Sequence, residues 1–490
     1  MRDELPKNWE ITSVGKAFIT ILGQSPPSST YNYEEVGLPF FQGKAEFGEK
    51  YPKIVKWCSS PKKIAESGDV LLSVRAPVGP TNLAPSKCCI GRGLAAIRPI
   101  CGVDSRFVLY IFRHLQNKIS GVGTGTTFKA ITGSQLNGFP ILLPPLPEQN
   151  RIVSKIEELL TRSDGGIESL KQVQALLKQY HQSVLKSAVE GKLTSEFRKQ
   201  HKDELEPADK LLDRILKERK EKWEVEQLAN FKAKGRKPPK NWQSKYKEPT
   251  PPDTSQLPKL PKGWEWVSID QVSVVVRGAS PRPAGDPKYF GGDIPWITVG
   301  ALTADESPYL YQVKEFVTDE GCKKSRYIEP ETLLLTNSGA TLGVPKITKI
   351  GGCINDGSVA MFHVDYPLKL FLYYFFKTII KRLRNINQGA AQPNLNTGIV
   401  KNIVVPLPPL NEQKIIIEEV ERAMTICFDI EKVVVSEIKR SHSLEQSILK
   451  RAFEGKLVSQ DPNDEPASVL LERIKAEKSN PKKTKPMEKF

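Results

Sequence analysis

Histidine and cysteine are scarce in this chain, and long apolar runs are missing altogether. The five histidines (His114, His181, His201, His363 and His442) form no HExxH or other closely spaced ligand set, so no metal centre is expected. The seven cysteines (Cys58, Cys88, Cys89, Cys101, Cys322, Cys353 and Cys427) are odd in number and include no CxxC pair. Neither a disulfide framework nor a cysteine zinc site follows from them, and they fit a reducing compartment. No stretch of about 18 apolar residues occurs, and Met1 to Trp9 carries Arg2, Asp3, Glu4 and Lys7 with no apolar core behind it. No membrane span or secretory signal is expected, and the cytoplasm is the expected location.

Catalytic signatures are lacking too. Gly191-Lys192-Leu193-Thr194 looks like the end of a P-loop, but position 186 is a lysine where that loop needs a glycine to wrap phosphates. The counterpart Gly455-Lys456-Leu457-Val458 has no hydroxyl for magnesium, and both segments read as glycine caps at helix ends. Gly121 to Thr127 follows a helix-like run instead of a strand and lacks the acidic residue of a dinucleotide site. It reads as a tight loop, with close approach to a DNA phosphate as its functional alternative. No Asn-Pro-Pro-aromatic element and no glycine-rich cofactor loop is present, so neither a cofactor site nor catalysis is expected of this chain.

Positive charge, by contrast, is abundant. Lys and Arg number 72 against 56 Asp and Glu, a formal net charge of +16 over 490 residues, which favours a polyanion as partner. Hydrophobic residues at 39% suffice for folded cores, and the length suggests roughly two to four domains at ~100–200 residues each.

An internal duplication organises the chain. Leu5-Pro6-Lys7-Asn8-Trp9-Glu10 returns as Leu260-Pro261-Lys262-Gly263-Trp264-Glu265, and Leu146-Pro147-Glu148-Gln149 returns as Leu410-Asn411-Glu412-Gln413. Pro144-Pro145 matches Pro408-Pro409, and Glu190-Gly191-Lys192-Leu193 matches Glu454-Gly455-Lys456-Leu457. The copies agree at their edges and differ inside. Each interior has short apolar runs broken by Gly and Pro, such as Val70 to Val74 and Leu333 to Thr336, followed by helical spacing over Phe107 to Ile119 and Leu370 to Leu383. A mixed α/β fold is expected.

After each interior the period changes to that of a helix. Ile152, Ile156, Leu159, Ile167, Leu170, Leu177, Val184 and Ala188 form one apolar stripe; Ile416, Val420, Ala423, Ile430, Val434, Ile438, Leu444, Ile448 and Ala452 form another. Helices of ~40 residues would be about 60 Å long and need a partner. Antiparallel packing of the two would set the globular parts at opposite ends and relate the halves by a pseudo-two-fold axis. Between the copies, a helix-like stretch from Lys210 to Phe231 precedes Lys232, Lys234, Arg236, Lys237, Lys240, Lys245 and Lys247, interrupted by Pro238-Pro239. The whole reads as a bridging segment and its basic run as solvated linker, with contact of that run to DNA phosphates as the alternative.

Basic and amide side chains in the interior loops are the candidates for DNA contact. They are Gln42, Lys44, Arg75, Arg92 and Lys129 in the first copy and Arg277, Arg282, Lys288, Asn337 and Lys346 in the second. These residue types pair with base edges or clamp phosphates.

The repeated Leu-Pro-x-x-Trp starts, Leu71 to Gly79, the Gly91-Arg92-Gly93-Leu94-Ala95 turn, the segment from Pro406 to Gln413 and the Glu-Gly-Lys-Leu helix ends together resemble the specificity subunit of type I restriction-modification enzymes. The resemblance covers nearly the whole chain. It implies two α/β target recognition domains joined by two long antiparallel coiled-coil helices. The domains would fall at 1–147 and 258–409, with helices at 148–193 and 410–457, a charged linker at 194–257 and a tail with a short helix at 458–490. It implies further that double-stranded DNA, two modification subunits and restriction subunits are partners, and that S-adenosylmethionine, ATP and magnesium belong to those partners. One copy departs from the other where Thr336-Asn337-Ser338-Gly339-Ala340 stands opposite Ser73-Val74-Arg75-Ala76-Pro77. A helical scaffold that organises an enzyme complex without touching DNA is the alternative class; net charge and the divergent interiors count against it.

Overall fold

A computed structural model of the chain describes residues 5–122, 130–385 and 394–479. The architecture is mixed α/β and duplicated, with two α/β regions linked by long helices. Two compact units divide it: Met1–Gln172 with Val434–Phe490, and Val173–Val433.

In the first unit, Glu10–Ser13 pairs antiparallel with Pro140–Leu143, closing the globular part on itself. A four-stranded sheet has the order Ile19–Leu22, Leu94–Arg98, Val70–Ser73, Thr81–Leu83. Val70–Ser73 is buried along its whole length, as a short apolar run entered from a turn should be. A second sheet contains one parallel pair, with Phe40 opposite Cys89 and Phe41 opposite Ile90. The helix Ser105–Val122 lays Phe107, Val108, Ile111, Phe112, Leu115 and Ile119 into the main core.

The second unit repeats this plan. Glu265–Ser268 pairs with Val404–Leu407, and a five-stranded sheet runs Val274–Arg277, Ser358–Phe362, Leu333–Thr336, Pro345–Thr348, Tyr309–Leu310. Its other sheet again holds one parallel pair, Trp296 opposite Cys353 and Ile297 opposite Ile354. Cys89 and Cys353 are therefore equivalent positions, which fixes the alignment of the two interiors.

Each long helix, Leu146–Val189 and Leu410–Phe453, has 44 residues. At ~1.5 Å per residue each is about 66 Å long, and each contributes to both units. In the first unit Ile152 and Ile156, from the start of one helix, share a core with Ile448, Ala452 and Phe453, from the end of the other. In the second unit the roles reverse: Val184 and Ala188 pack in the core that holds Ile416, Ile417 and Val420. The two helices therefore run antiparallel. The expected second stripe needs correction, since Ile430 and Leu444 are exposed and Cys427 is the buried residue between Val420 and Val434. The heptad step from 420 to 427 to 434 keeps one seam inward.

The repeated edge motifs meet at three-way junctions. In the first unit Trp9 Nε1 donates to Glu148 Oε2 at 2.9 Å, and Gln149 Nε2 donates to the Pro144 carbonyl at 2.8 Å. The second unit repeats both bonds, from Trp264 Nε1 to Glu412 Oε2 at 2.8 Å and from Gln413 Nε2 to the Pro408 carbonyl at 2.8 Å. The third component comes from the opposite helix. Gly455, at φ +70°, ends the second long helix so close to Pro6 that a Cβ there would lie 2.3 Å from its Cγ. Gly191, at φ +68°, ends the first and would set a Cβ 2.7 Å from Pro261 Cγ and 3.0 Å from Trp264 Cζ2. Both glycines cap helices, and left-handed backbone at a crowded site accepts no other residue without strain.

Two further helices complete the units. Ala467–Ser479 buries Ala467, Leu470 and Ile474 in the first core, and Lys478 Nζ donates to the carbonyls of Gly15, Lys16 and Phe18. Ala208–Ala233 plays the same part in the second core through Ala208 and Leu211, but is twice as long at 26 residues against 13. The helix-like stretch expected from Lys210 to Phe231 thus lies within a helix whose first turn is packed into the second core.

Candidate nucleic-acid interface

A single turn gathers the candidate residues of the first unit. Gly91-Arg92-Gly93 connects Cys88–Ile90 to Leu94–Arg98. Its backbone is wedged against neighbours: Gly91 N–H donates to the Phe41 carbonyl at 2.8 Å, and a Cβ on Gly93 would lie 2.4 Å from the Gln42 carbonyl oxygen. Arg92 N–H donates to Ser25 Oγ at 3.2 Å, and Val74 N–H donates to the Gly93 carbonyl at 2.9 Å. Gln42, Arg75 and Arg92 therefore surround one turn with exposed side chains, and exposed Lys44 stands two residues beyond Gln42. Lys129 and most of the Gly121 to Thr127 loop lie outside the described residues.

The alignment through Cys89 and Cys353 puts Asn355-Asp356-Gly357 at the same place in the second unit. Here the turn presents a carboxylate where the first presents a guanidinium. Ser280 Oγ donates to Asp356 Oδ1 at 2.6 Å, Arg277 Nε donates to its carbonyl at 3.1 Å, and Arg282 Nη2 stands 3.6 Å from Oδ2. Arg277 and Arg282 remain exposed, as does Lys288, whose Nζ sits 5.5 Å from the ring centre of Tyr289. An open cleft of about 630 Å³ borders the site, lined in part by Ser280, Arg282, Lys314 and Asn355. Isolated bridges pair Arg75 with Ala130 and Ser338 with Asn394, so Ser338 occupies the place of Arg75 and the second unit has no cation there.

Two of the sequence candidates are interior. Asn337 is fully buried; its Nδ2 donates to the Asp356 carbonyl at 3.1 Å and its N–H to the Gly357 carbonyl at 2.9 Å, so it braces the turn from behind. Lys346 is 1% exposed and donates to Asp305 Oδ1 at 2.6 Å, the Asp305 carbonyl at 3.1 Å and the Ser307 carbonyl at 2.7 Å. That ammonium holds the Asp305 carboxyl below the usual carboxylate range. All three of its protons are engaged, so it ties a loop to a sheet and presents no face to a groove. In the other direction, sequence reading passed over Asp356, Ser280 and Ser25. Asn-Asp-Gly is a turn signal that marks the position, but its equivalence to Gly91-Arg92-Gly93 emerges only from the strand pairing.

The model of the type I restriction modification DNA specificity domain matches residues 6–175 and again 261–440. The chain belongs to this family. Both matches begin at the Leu-Pro-x-x-Trp motif and run well into a long helix. The type I restriction enzyme EcoDI specificity subunit of Escherichia coli is 24% identical over 486 residues, covering 97% of this chain and 96% of the relative. A putative type I restriction enzyme specificity subunit, MjaX, of Methanocaldococcus jannaschii is 42% identical over 193 residues, 39% of this chain and 44% of that protein. Among solved structures, the HsdS subunit from Thermoanaerobacter tengcongensis superposes with a TM-score of 0.55 at 19% identity, over 92% of this chain and 98% of that one. A chain from a structure describing complex assembly and conformational transition of the type I R-M system reaches 0.64 at 19% identity, over 92% and 99%. Family membership decides for DNA target recognition over the helical-scaffold reading and gives this chain a specificity role without catalysis. Among the described residues, no group of three or more His, Cys, Asp or Glu could hold a metal ion, and no helix is long and apolar enough to cross a membrane.

Proposed function

We propose that this specificity protein reads an interrupted, two-part target in double-stranded DNA, residues 1–147 reading one part and residues 258–409 the other. The observation that carries the reading is the shared turn: one backbone arrangement displays Arg92 in the first unit and Asp356 with two arginines in the second. Arginine pairs with the acceptors of guanine and carboxylates accept from the cytosine amino group, so one scaffold with different tips suits two different half-sites. Gln42, Lys44, Arg75 and Arg92 on one side, and Arg277, Arg282, Lys288 and Asp356 on the other, are the contacts.

Catalysis belongs to partners in this reading. Two modification subunits dock on the helical region and supply methyl transfer from S-adenosylmethionine, while restriction subunits use ATP and magnesium, all in the cytoplasm. Support for a docking surface comes from large apolar side chains left in solvent on the helices of the second unit: Leu176, Tyr180, Ile426, Phe428 and Val433 are each more than half exposed.

The test is to exchange residues 10–143 for the equivalent segment of another family member and map methylation on genomic DNA in cells that supply the modification subunit. One half of the target should change while the other half and the modification activity persist. A change in both halves together would defeat the assignment of one half-site to each unit.

A further inference from the structure

Residues 176–260 lie outside both segments matched by the family model, yet much of this stretch is built as a stiff arm. From Ala208 and Leu211 in the core, the helix Ala208–Ala233 is pinned to the second unit by Arg219, which donates to the Ser273 carbonyl at 2.8 Å and approaches Asp270 at 3.4 Å. His363 faces Glu226 about two turns further on, at 3.6 Å. The chain then reverses and is stapled to the helix by aromatic rings. Trp242 stacks on Trp223 at 5.8 Å and 21°, Tyr246 tilts against Trp223 at 5.2 Å, and Phe231 meets Trp242 edge-on at 6.3 Å. Offset-stacked and edge-on ring pairs are favourable beyond their area burial, and here they hold a short loop on a helix.

Charge is sharply segregated along this arm. Between Leu216 and Phe231 four cations are matched by four carboxylates, whereas Lys232 to Lys247 holds seven cations and no carboxylate, close to half of the net +16 of the whole chain. All seven side chains are exposed, and among the described residues none of them forms an ion pair or a side-chain hydrogen bond. Left in solvent at fixed positions, they repel one another, a cost that a polyanion would relieve.

We propose that this tip is a clamp for the sugar-phosphate backbone of duplex DNA, separate from the base-reading turns. The inference rests on the DNA-reading function above and adds a second, sequence-blind contact to it. Composition selects the partner. Six of the seven cations are lysines, which act on phosphates as mobile point charges and are depleted at protein–protein interfaces. The rings that would stack on unpaired bases are spent on one another, which disfavours single strands. Bidentate base readers are nearly absent, Arg236 being the one arginine at the tip.

The experiment compares the full chain, assembled with its modification subunits, against a variant carrying K234Q, R236Q, K237Q, K240Q, K245Q and K247Q. These side chains are exposed and unpaired, so the thermal unfolding profile should not move. Affinity for cognate and scrambled duplexes should fall by the same factor, about tenfold or more at low salt, with their ratio unchanged. The log–log salt slope should flatten by ~0.9 for every phosphate released, roughly 3 or more for four contacts. A hydroxyl-radical footprint should lose protection at one flank of the target and keep it over the target itself. An unchanged affinity and slope would overturn the clamp while wild-type preference for the cognate site still upheld the specificity function. Loss of modification subunit from the variant at unchanged DNA slope would overturn it in favour of a protein-docking tip.

Discussion

Glu148 and Glu412 hold the same position in the two halves and are satisfied in opposite ways. Each accepts a buried hydrogen bond from a tryptophan. Glu412 takes two more donors, Thr194 Oγ1 at 2.6 Å and the Arg198 guanidinium. Glu148 has no such company: its Oε1 lacks a hydrogen-bond partner among the described residues, and the nearby Arg151 is spent on Asp464 at 2.6 Å. The reason lies in sequence, because Val458 and Pro462 stand in the first unit where Thr194 and Arg198 stand in the second.

Opposite effects of one substitution follow. Burial pushes the Glu148 carboxyl above its ordinary value of 4.5. A folded pKa above the unfolded one means that this group favours folding most below the unfolded value and that the contribution is lost as pH rises through the folded value. Glu148→Gln should therefore raise the unfolding temperature of the first unit at pH 7–8, with the gain shrinking as pH falls toward 4.5. Glu412→Gln strands Arg198 and should destabilise the second unit by on the order of 3 kcal/mol. Thermal unfolding of both variants across pH, followed by limited proteolysis to assign the unit that opens, checks the pair.

Gly191→Ala and Gly455→Ala should each be severe for a surface-sized change. A left-handed alanine costs about 1–2 kcal/mol and forcing a methyl into a packed site about 1–3 more. Each should loosen only its own unit, Gly455 the first and Gly191 the second, read by hydrogen exchange at the Trp9 and Trp264 junctions.

At the turns, Asp356→Asn keeps the shape and one acceptor but removes charge and adds a donor. It should alter or relax recognition of a base in one half-site, by roughly 1–3 kcal/mol of discrimination, and leave the other untouched. Arg92→Gln should do the converse. Methylation mapping with each variant reports which half moves.

Thiol chemistry offers a test of the interiors. Burial pushes Cys353 and Cys88 up to about 12, and Cys89 to about 11. At pH 8 their thiolate fraction is ~0.001 or less, so iodoacetamide should leave all three unmodified in the native protein and label them after unfolding. Peptide mass spectrometry distinguishes the two states.

Local signals in this sequence carried far, and partnerships across the chain did not. Val70–Ser73 and Leu333–Thr336 were legible as strands because an apolar run after a turn residue has few other uses, and the 44-residue helices were legible from their period. Lys346 misled because its neighbours Pro345 to Thr348 form a strand covered on both faces, and a strand's burial depends on what lies beside it. Ile430 and Leu444 misled because a seam between two helices is narrower than their apolar content. Asp356 escaped because an acidic residue does not stand out as a candidate for DNA contact until the fold aligns it with an arginine. The junction of Trp9, Glu148 and Gly455 joins segments hundreds of residues apart, beyond the reach of any local pattern.

The division of segments between the units also sets an order of events during synthesis. The second unit is a continuous stretch, Val173–Val433, and can close its core when its last residue leaves the ribosome. The first cannot: Ile448, Phe453, Leu470 and Ile474 belong to its core, and they are made some three hundred residues after Gln172. At ~5–20 residues per second that is a wait of roughly 15–60 s. Throughout it the first unit's earlier segment lacks part of its core, and helices made after the whole of the second unit complete it.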